Sequence, residues 1–236
     1  MIEIRDFYKS YDGKYYACKN INLTIEAGDI YGFIGHNGAG KTTLLRSIAG
    51  ILDFEKGTIT VDGHNIKTDA IAAKKMMAYI PDNPDVYESL KGIQYLDFLA
   101  DVFGVSKEDR IERIEKYAEL FEMKPALNQV IGSYSHGMKQ KIVLIGALVH
   151  QPKVVLLDEP FVGLDPKASY LLKEPFKEHC QNGTCIFFST HVLEVAEKLC
   201  NKVAIIRKGE VVAFGDTATI TKDQSLESLF LELIAS

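Results

Sequence analysis

Alternation comes first along this chain. Ile21, Leu23 and Ile25 fall at every second position with polar residues between them, the period of a strand with one face buried. Residues 29–34 read as another strand, running into a glycine-rich turn. Lys41 to Ala49 then reads as a helix stopped by Gly50, and Thr58 to Val61 as a short strand before the turn Asp62-Gly63. From about Asn83 to His150 the period becomes helical. Ile93, Leu96, Phe98, Leu99 and Val102 mark one helix. Ile111, Ile114, Tyr117, Ala118 and Phe121 mark a second, with Pro125 just beyond it, and a third runs from about His136 to Val149.

After Lys153 strands and helices alternate. Residues 154–157 and 184–189 read as strands, 166–180 and 192–199 as helices. That alternation predicts βα units on a mainly parallel sheet. Val203–Ile206 and Val211–Phe214, turning at Lys208-Gly209, read as a hairpin. Leu226, Leu229, Phe230, Leu233 and Ile234 have the spacing of an amphipathic helix that docks on the core. The pattern as a whole predicts an α/β core with a helical insertion.

Composition narrows the class. At 236 residues, 47% hydrophobic and 25% charged, the chain matches an ordinary globular protein. A chain of this size buries roughly 70% of the surface its unfolded form exposes, so it needs no covalent staples. The formal net charge of −5 argues against a nucleic-acid partner, although local basic patches are compatible with it. Cys18, Cys180, Cys185 and Cys200 show no Cys-x-x-Cys spacing and are expected to stay reduced in a cytoplasmic protein. The first six residues carry two acids, unlike a secretory signal. No apolar run approaches the ~20 residues that span a bilayer. Any action on a membrane is therefore expected to pass through another polypeptide.

Two motifs carry chemistry. Gly35-His36-Asn37-Gly38-Ala39-Gly40-Lys41-Thr42 fits G-x-x-x-x-G-K-[ST] at every defined position, after an apolar strand and before a helix. Glycines let phosphate oxygens approach the backbone. Successive N–H groups at a helix N-terminus form an anion nest. Lys41 would place a cation near the β- and γ-phosphates, Thr42 would offer its hydroxyl to Mg²⁺, and Thr43 belongs to the same nucleotide-binding set. The second motif is Val154-Val155-Leu156-Leu157-Asp158-Glu159-Pro160. Four apolar residues suit a strand covered on both faces, and ligands of open α/β sheets sit beyond the carboxyl ends of strands. There Asp158 would hold Mg²⁺, directly or through water. Glu159, one residue on, would polarise an attacking water.

A phosphate loop alone fits a kinase, a GTPase or a motor. Ser135-His136-Gly137-Met138-Lys139-Gln140, followed by a long helix and then the acidic strand, narrows it. Taken together, these motifs resemble those of the ABC (ATP-binding cassette) ATPase family, in order and across essentially the whole chain. The resemblance implies a P-loop NTPase core with a mainly parallel sheet and an antiparallel β subdomain, made of residues 1–82 and 151–236. It places a helical subdomain carrying the signature at 83–150. It implies a Mg²⁺-dependent ATPase that pairs with a second cassette and drives an integral-membrane permease from the cytoplasmic face. By the same resemblance Tyr11 stacks on adenine, with Tyr8, Tyr15 and Tyr16 as rivals. His191 contacts the γ-phosphate and holds the attacking water with Glu159. Gly163-Leu164-Asp165 resembles the loop that crosses the dimer interface. Ser135 and Gly137 point at the γ-phosphate held by the opposite subunit.

The chain departs from the family pattern in two places. Asp82 stands where the family commonly has glutamine. A carboxylate can bind Mg²⁺, a hard cation that takes oxygen ligands, but cannot donate as an amide does. His136 and Met138 replace residues of the usual Leu-Ser-Gly-Gly-Gln signature. Ser-x-Gly-Met-Lys-Gln resembles a branch found with export- or multidrug-type partners. A soluble ABC-type ATPase uncoupled from transport is the alternative.

Overall fold

The computed structural model describes residues 1–83, 86–161 and 172–235. Among them the strands form two sheets of different character. The first is antiparallel. It joins β1 (Ile2–Ser10), β2 (Tyr16–Ile25), β4 (Lys56–Val61) and β5 (His64–Asn65) in the order β2-β1-β4-β5. The second holds β3 (Ile30–Ile34), β6 (Met77–Ile80), β7 (Val154–Asp158), β8 (Cys185–Thr190), β9 (Lys202–Arg207) and β10 (Glu210–Asp216) in the order β10-β9-β3-β8-β7-β6. All its pairings are parallel except β9 with β10. That last pair is the expected hairpin. Both turn residues carry positive φ, Lys208 at 49° and Gly209 at 84°, which suits the twist of a two-residue hairpin.

The helices among the described residues are α1 (Lys41–Ile48), α2 (Ala70–Lys75), α3 (Gly92–Val102), α4 (Lys107–Leu120), α5 (His136–Val149), α6 (Lys173–Gln181), α7 (Leu193–Leu199), α8 (Thr217–Ile220) and α9 (Leu226–Ala235). Of the helix expected over 166–180, the part before 172 lies outside the described residues. Ser106 and Ser135 cap α4 and α5, accepting the N–H of Asp109 at 3.1 Å and of Met138 at 3.3 Å. Neither β1 nor α2 is signalled by plain periodicity. In β1 the inward residues are Ile2, Ile4 and Phe7, because the register slips between Ile4 and Phe7 and Asp6 adopts φ 46°. A bulge of this kind breaks the two-residue period on which strand reading depends.

The parallel sheet is covered on both faces, and its strands are partitioned by alternation. Val155, Leu157, Ile186 and Phe188 belong to one apolar cluster, shared with Leu96, Tyr117, Ile142 and Phe176 of the helices. Val154, Leu156, Cys185 and Phe187 belong to the other, shared with Leu44 and Leu45 of α1 and with Ile4, Phe7 and Ile59 of the antiparallel sheet. An unbroken apolar run is required where successive side chains enter two different cores. The parallel register also sets Ile34 beside Thr190 and Asp158 beside Ser189. Three strand ends therefore open onto one edge.

His150 follows α5 and stacks on Phe103, with ring centroids 3.7 Å apart and an 11° interplanar angle. Burial pushes its pKa down from 6.5 to about 4. An imidazole that charges more readily in the unfolded chain contributes stability above pH 6.5 and loses it as pH falls toward 4. Urea midpoints should decline over that window, and His150→Phe should flatten the slope. A variant with the wild-type slope would contradict this assignment.

Candidate active site

The phosphate loop lies between β3 and α1, and its shape depends on glycines. Gly40 holds φ 111° as the N-cap of α1, and a Cβ there would stand 2.3 Å from the Ala17 carbonyl oxygen. Gly38 holds φ 79° and a Cβ on it would meet nothing within 4 Å, so this part of the backbone is open to a ligand. Ala39 is tied at both ends: its N–H donates to the His36 carbonyl at 3.1 Å, and its carbonyl accepts the Gly209 N–H at 3.0 Å. His36, Asn37 and Gly38 form the exposed crest.

Lys41 is only 5% exposed. Its Nζ donates to the carbonyls of Gly35 at 2.6 Å and His36 at 3.2 Å. It also lies 3.2 Å from Glu159 Oε1. Glu159 adopts φ 50°, uncommon for a residue with a side chain. Its second oxygen sits 2.9 Å from His191 Nδ1 and accepts the His191 N–H at 3.3 Å. One carboxylate thus joins the buried lysine to the histidine.

Asp158 occupies the buried end of β7 at 1% exposure. Oδ1 accepts the Ser189 hydroxyl at 2.6 Å, while Oδ2 is buried with its lone pairs open. Burial raises the carboxyl above the ordinary carboxylate range. The Ser189 and Thr42 hydroxyls pull it back down, and the charges of Asp82 and Glu159 push it further up. Ser189 also accepts the Glu159 N–H at 2.9 Å, so one hydroxyl fixes both acids.

Lys41, Glu159 and His191 face a cavity of about 580 Å³ whose other lining residues are Tyr11, Ala17, His36, Asn37, Gly38, Gly40, Thr42, Thr43 and Asp82. That volume is ordinary for a small-molecule site. Tyr11 stands at its mouth, with its hydroxyl 3.1 Å from Thr43 Oγ1 and its ring largely exposed. The rival tyrosines do not line it: Tyr8 packs edge-on against Tyr16 at 5.5 Å, and Tyr15 is exposed. Ser135 and Gly137, at the start of α5, do not line the cavity of their own chain. Asp165 lies outside the described residues. Sequence reasoning left Ala17 and the double role of Ser189 unassigned. Ala17 carries no chemical signal, whereas a hydroxyl two residues before His191 at a strand end was a usable cue for Ser189.

The fold and the loop define a P-loop nucleotide-binding protein with both core faces covered. The chain belongs to the ABC transporter family, whose model matches residues 18–162. It is 37% identical over 220 residues to the ABC-type transporter ATP-binding protein EcsA of Bacillus subtilis, an alignment spanning 91% of this chain and 89% of that one. Among solved structures, an ATP-binding subunit of an ABC transporter superposes with a TM-score of 0.95 at 30% identity, over 99% of each chain. A dimeric ATP-binding cassette in a post-hydrolysis state bound to ADP and Pi superposes at 0.79 and 23% identity, over 92% of this chain and 99% of that one, a likeness of fold. The chain is thus an ATP-binding subunit of the ABC ATPase class. Among the described residues no helix is long and apolar enough to cross a membrane.

Ser189→Ala should leave Asp158 Oδ1 and the Glu159 N–H without partners. A buried group orphaned in this way costs about 1–3 kcal/mol. Chemical denaturation should show a loss of that order, and an unchanged unfolding free energy would refute the role given to this hydroxyl.

Proposed function

We propose that the chain binds Mg–ATP in this cavity and hydrolyses it to ADP and phosphate. Two cassettes close around two nucleotides and thereby drive a separate membrane-spanning subunit from the cytoplasmic face. The observation that carries the catalytic part is the Glu159 carboxylate, joined to Lys41 on one side and His191 on the other at the mouth of the phosphate loop.

Phosphoryl transfer to water needs positioning and charge stabilisation more than covalent chemistry. Lys41, the N–H groups of Asn37, Gly38 and Gly40 and the N-terminus of α1 receive the β- and γ-phosphates. The phosphate takes the place that Glu159 holds beside Lys41, which frees the carboxylate to orient a water and accept its proton. His191 holds that water from the other side. Tyr11 supplies a face for adenine. The open Oδ2 of Asp158, with the Thr42 hydroxyl and Asp82 nearby, is an oxygen donor set that fits Mg²⁺. When bound, that ion neutralises charge on the phosphate oxygens.

Ser135 and Gly137 do not line their own chain's cavity, which supports their use by the opposite cassette. Asp165 would act at the same interface. For the membrane partner the support is apolar surface on α3 and at Tyr87, ahead of it in the chain. Tyr87 and Phe98 stack edge to face at 6.0 Å, and both are exposed, as is Val102. Together with the segment after Asp82 they would receive a cytoplasmic helix of the permease. Recovery of a polytopic membrane protein with the chain from detergent extracts tests that coupling, and its absence would favour an uncoupled ATPase.

Glu159→Gln should lower steady-state phosphate release by about 10²–10⁴-fold, the usual contribution of a positioned base, while ATP still binds. Wild-type turnover in this variant would remove Glu159 from the mechanism. Asp82→Ala should shift the Mg²⁺ dependence of the ATPase rate. If rate and dependence both stay put, Asp82 is not part of the cation site.

A further inference from the structure

The last described helix, α9, reaches the phosphate loop from outside the cavity. Phe230 is 6% exposed and sets its ring 5.0 Å from the His36 imidazole, at an interplanar angle of 58°. His36 sits on the exposed crest of the loop, its carbonyl accepting from the Ala39 N–H and from Lys41 Nζ while its ring projects from the loop backbone toward α9. A second link runs through the end of β9 and the turn after it. The Arg207 guanidinium donates to the Leu233 carbonyl of α9, and two residues further on the Gly209 N–H donates to the Ala39 carbonyl. A third fixes the other end of the helix. The Leu226 N–H donates to Glu197 Oε2 at 3.0 Å, and Glu197 lies on α7, the helix that follows His191.

We propose that α9 is a brace for the phosphate loop and that Phe230 is a positioning residue for nucleotide affinity. The inference rests on reading the loop as the ATP site. A crest of adjacent N–H groups must keep one arrangement to bind phosphate, and ordering it only on binding would weaken affinity. Phe230 holds it in advance through the His36 ring, without touching the nucleotide. An aromatic contact of this kind corresponds to about a two- to tenfold change in an equilibrium constant. The brace also makes α9 a handle: anything that lifts this helix would weaken nucleotide binding from outside the cavity.

The test uses the full chain. Mg–ATP is titrated calorimetrically into wild type, Phe230→Leu, Phe230→Met, Phe230→Tyr, His36→Ala and the His36→Ala/Phe230→Leu double variant. Phe230→Leu should raise Kd about two- to tenfold and KM for ATP in proportion, with kcat within a factor of about two. Phe230→Met, which keeps a long apolar side chain but no ring, should do the same and serves if the Leu variant fails to fold. Phe230→Tyr should restore affinity. The double variant should bind no more weakly than His36→Ala alone, because one contact is lost in either case. Wild-type affinity in Phe230→Leu and Phe230→Met would overturn the brace alone. Losses that simply add in the double variant would overturn it too, by showing a general loosening. A wild-type chain that binds no ATP would overturn the phosphate-loop reading and the brace with it.

Discussion

A lysine ammonium at 5% exposure has to be solvated by the protein itself. Removing such an ion from water costs on the order of several kcal/mol unless hydrogen bonds and an opposite charge compensate. Lys41 finds both: two loop carbonyls accept from it and Glu159 pairs with it. Much else in the molecule is needed to make that arrangement possible. The loop must curl so that the carbonyls of Gly35 and His36 point inward. That in turn requires Gly40 in a conformation, and at a distance from Ala17, that a side chain would forbid. Glu159 must turn back over the sheet edge at positive φ, and the Ser189 hydroxyl holds its N–H while it does so.

The parallel sheet supplies the rigid part. Because β3, β7 and β8 run in the same direction, the loop, the two acids and His191 emerge at one edge. Each strand divides its side chains between two cores, so the edge is anchored from both faces. A site built this way needs few mobile parts. The charged groups are already close, and in the proposed mechanism an incoming phosphate would exchange one partner of Lys41 for another instead of assembling the site anew. Preorganised charge of this kind is what phosphoryl transfer asks of a protein.

Most of the architecture was legible because the chain's rules are local. Continuous apolar runs announced the buried strands, and the 3.6-residue period announced α3 and α4, with α5 read after them. The phosphate loop could be read from the spacing of its glycines with Lys41 and Thr42, between an apolar strand and a helix, since backbone geometry fixes where Cβ atoms are excluded. What escaped was set by tertiary context. In β1 the Asp6 bulge hid the strand by breaking its alternation. The Ser189 bridge between Asp158 and Glu159 depends on strands far apart in sequence meeting in register. The contact between Phe230 and His36 joins the loop to a helix whose spacing predicts only that it docks somewhere on the core.

Ser135 and Gly137 do not line the cavity of their own chain, and the proposed mechanism depends on a second cassette to complete each site. Light scattering coupled to size exclusion on Glu159→Gln tests that most directly. With Mg–ATP the mass should double, and with ADP or no nucleotide it should stay that of one chain. A variant that binds ATP yet keeps the mass of a single chain would contradict closure by two identical chains.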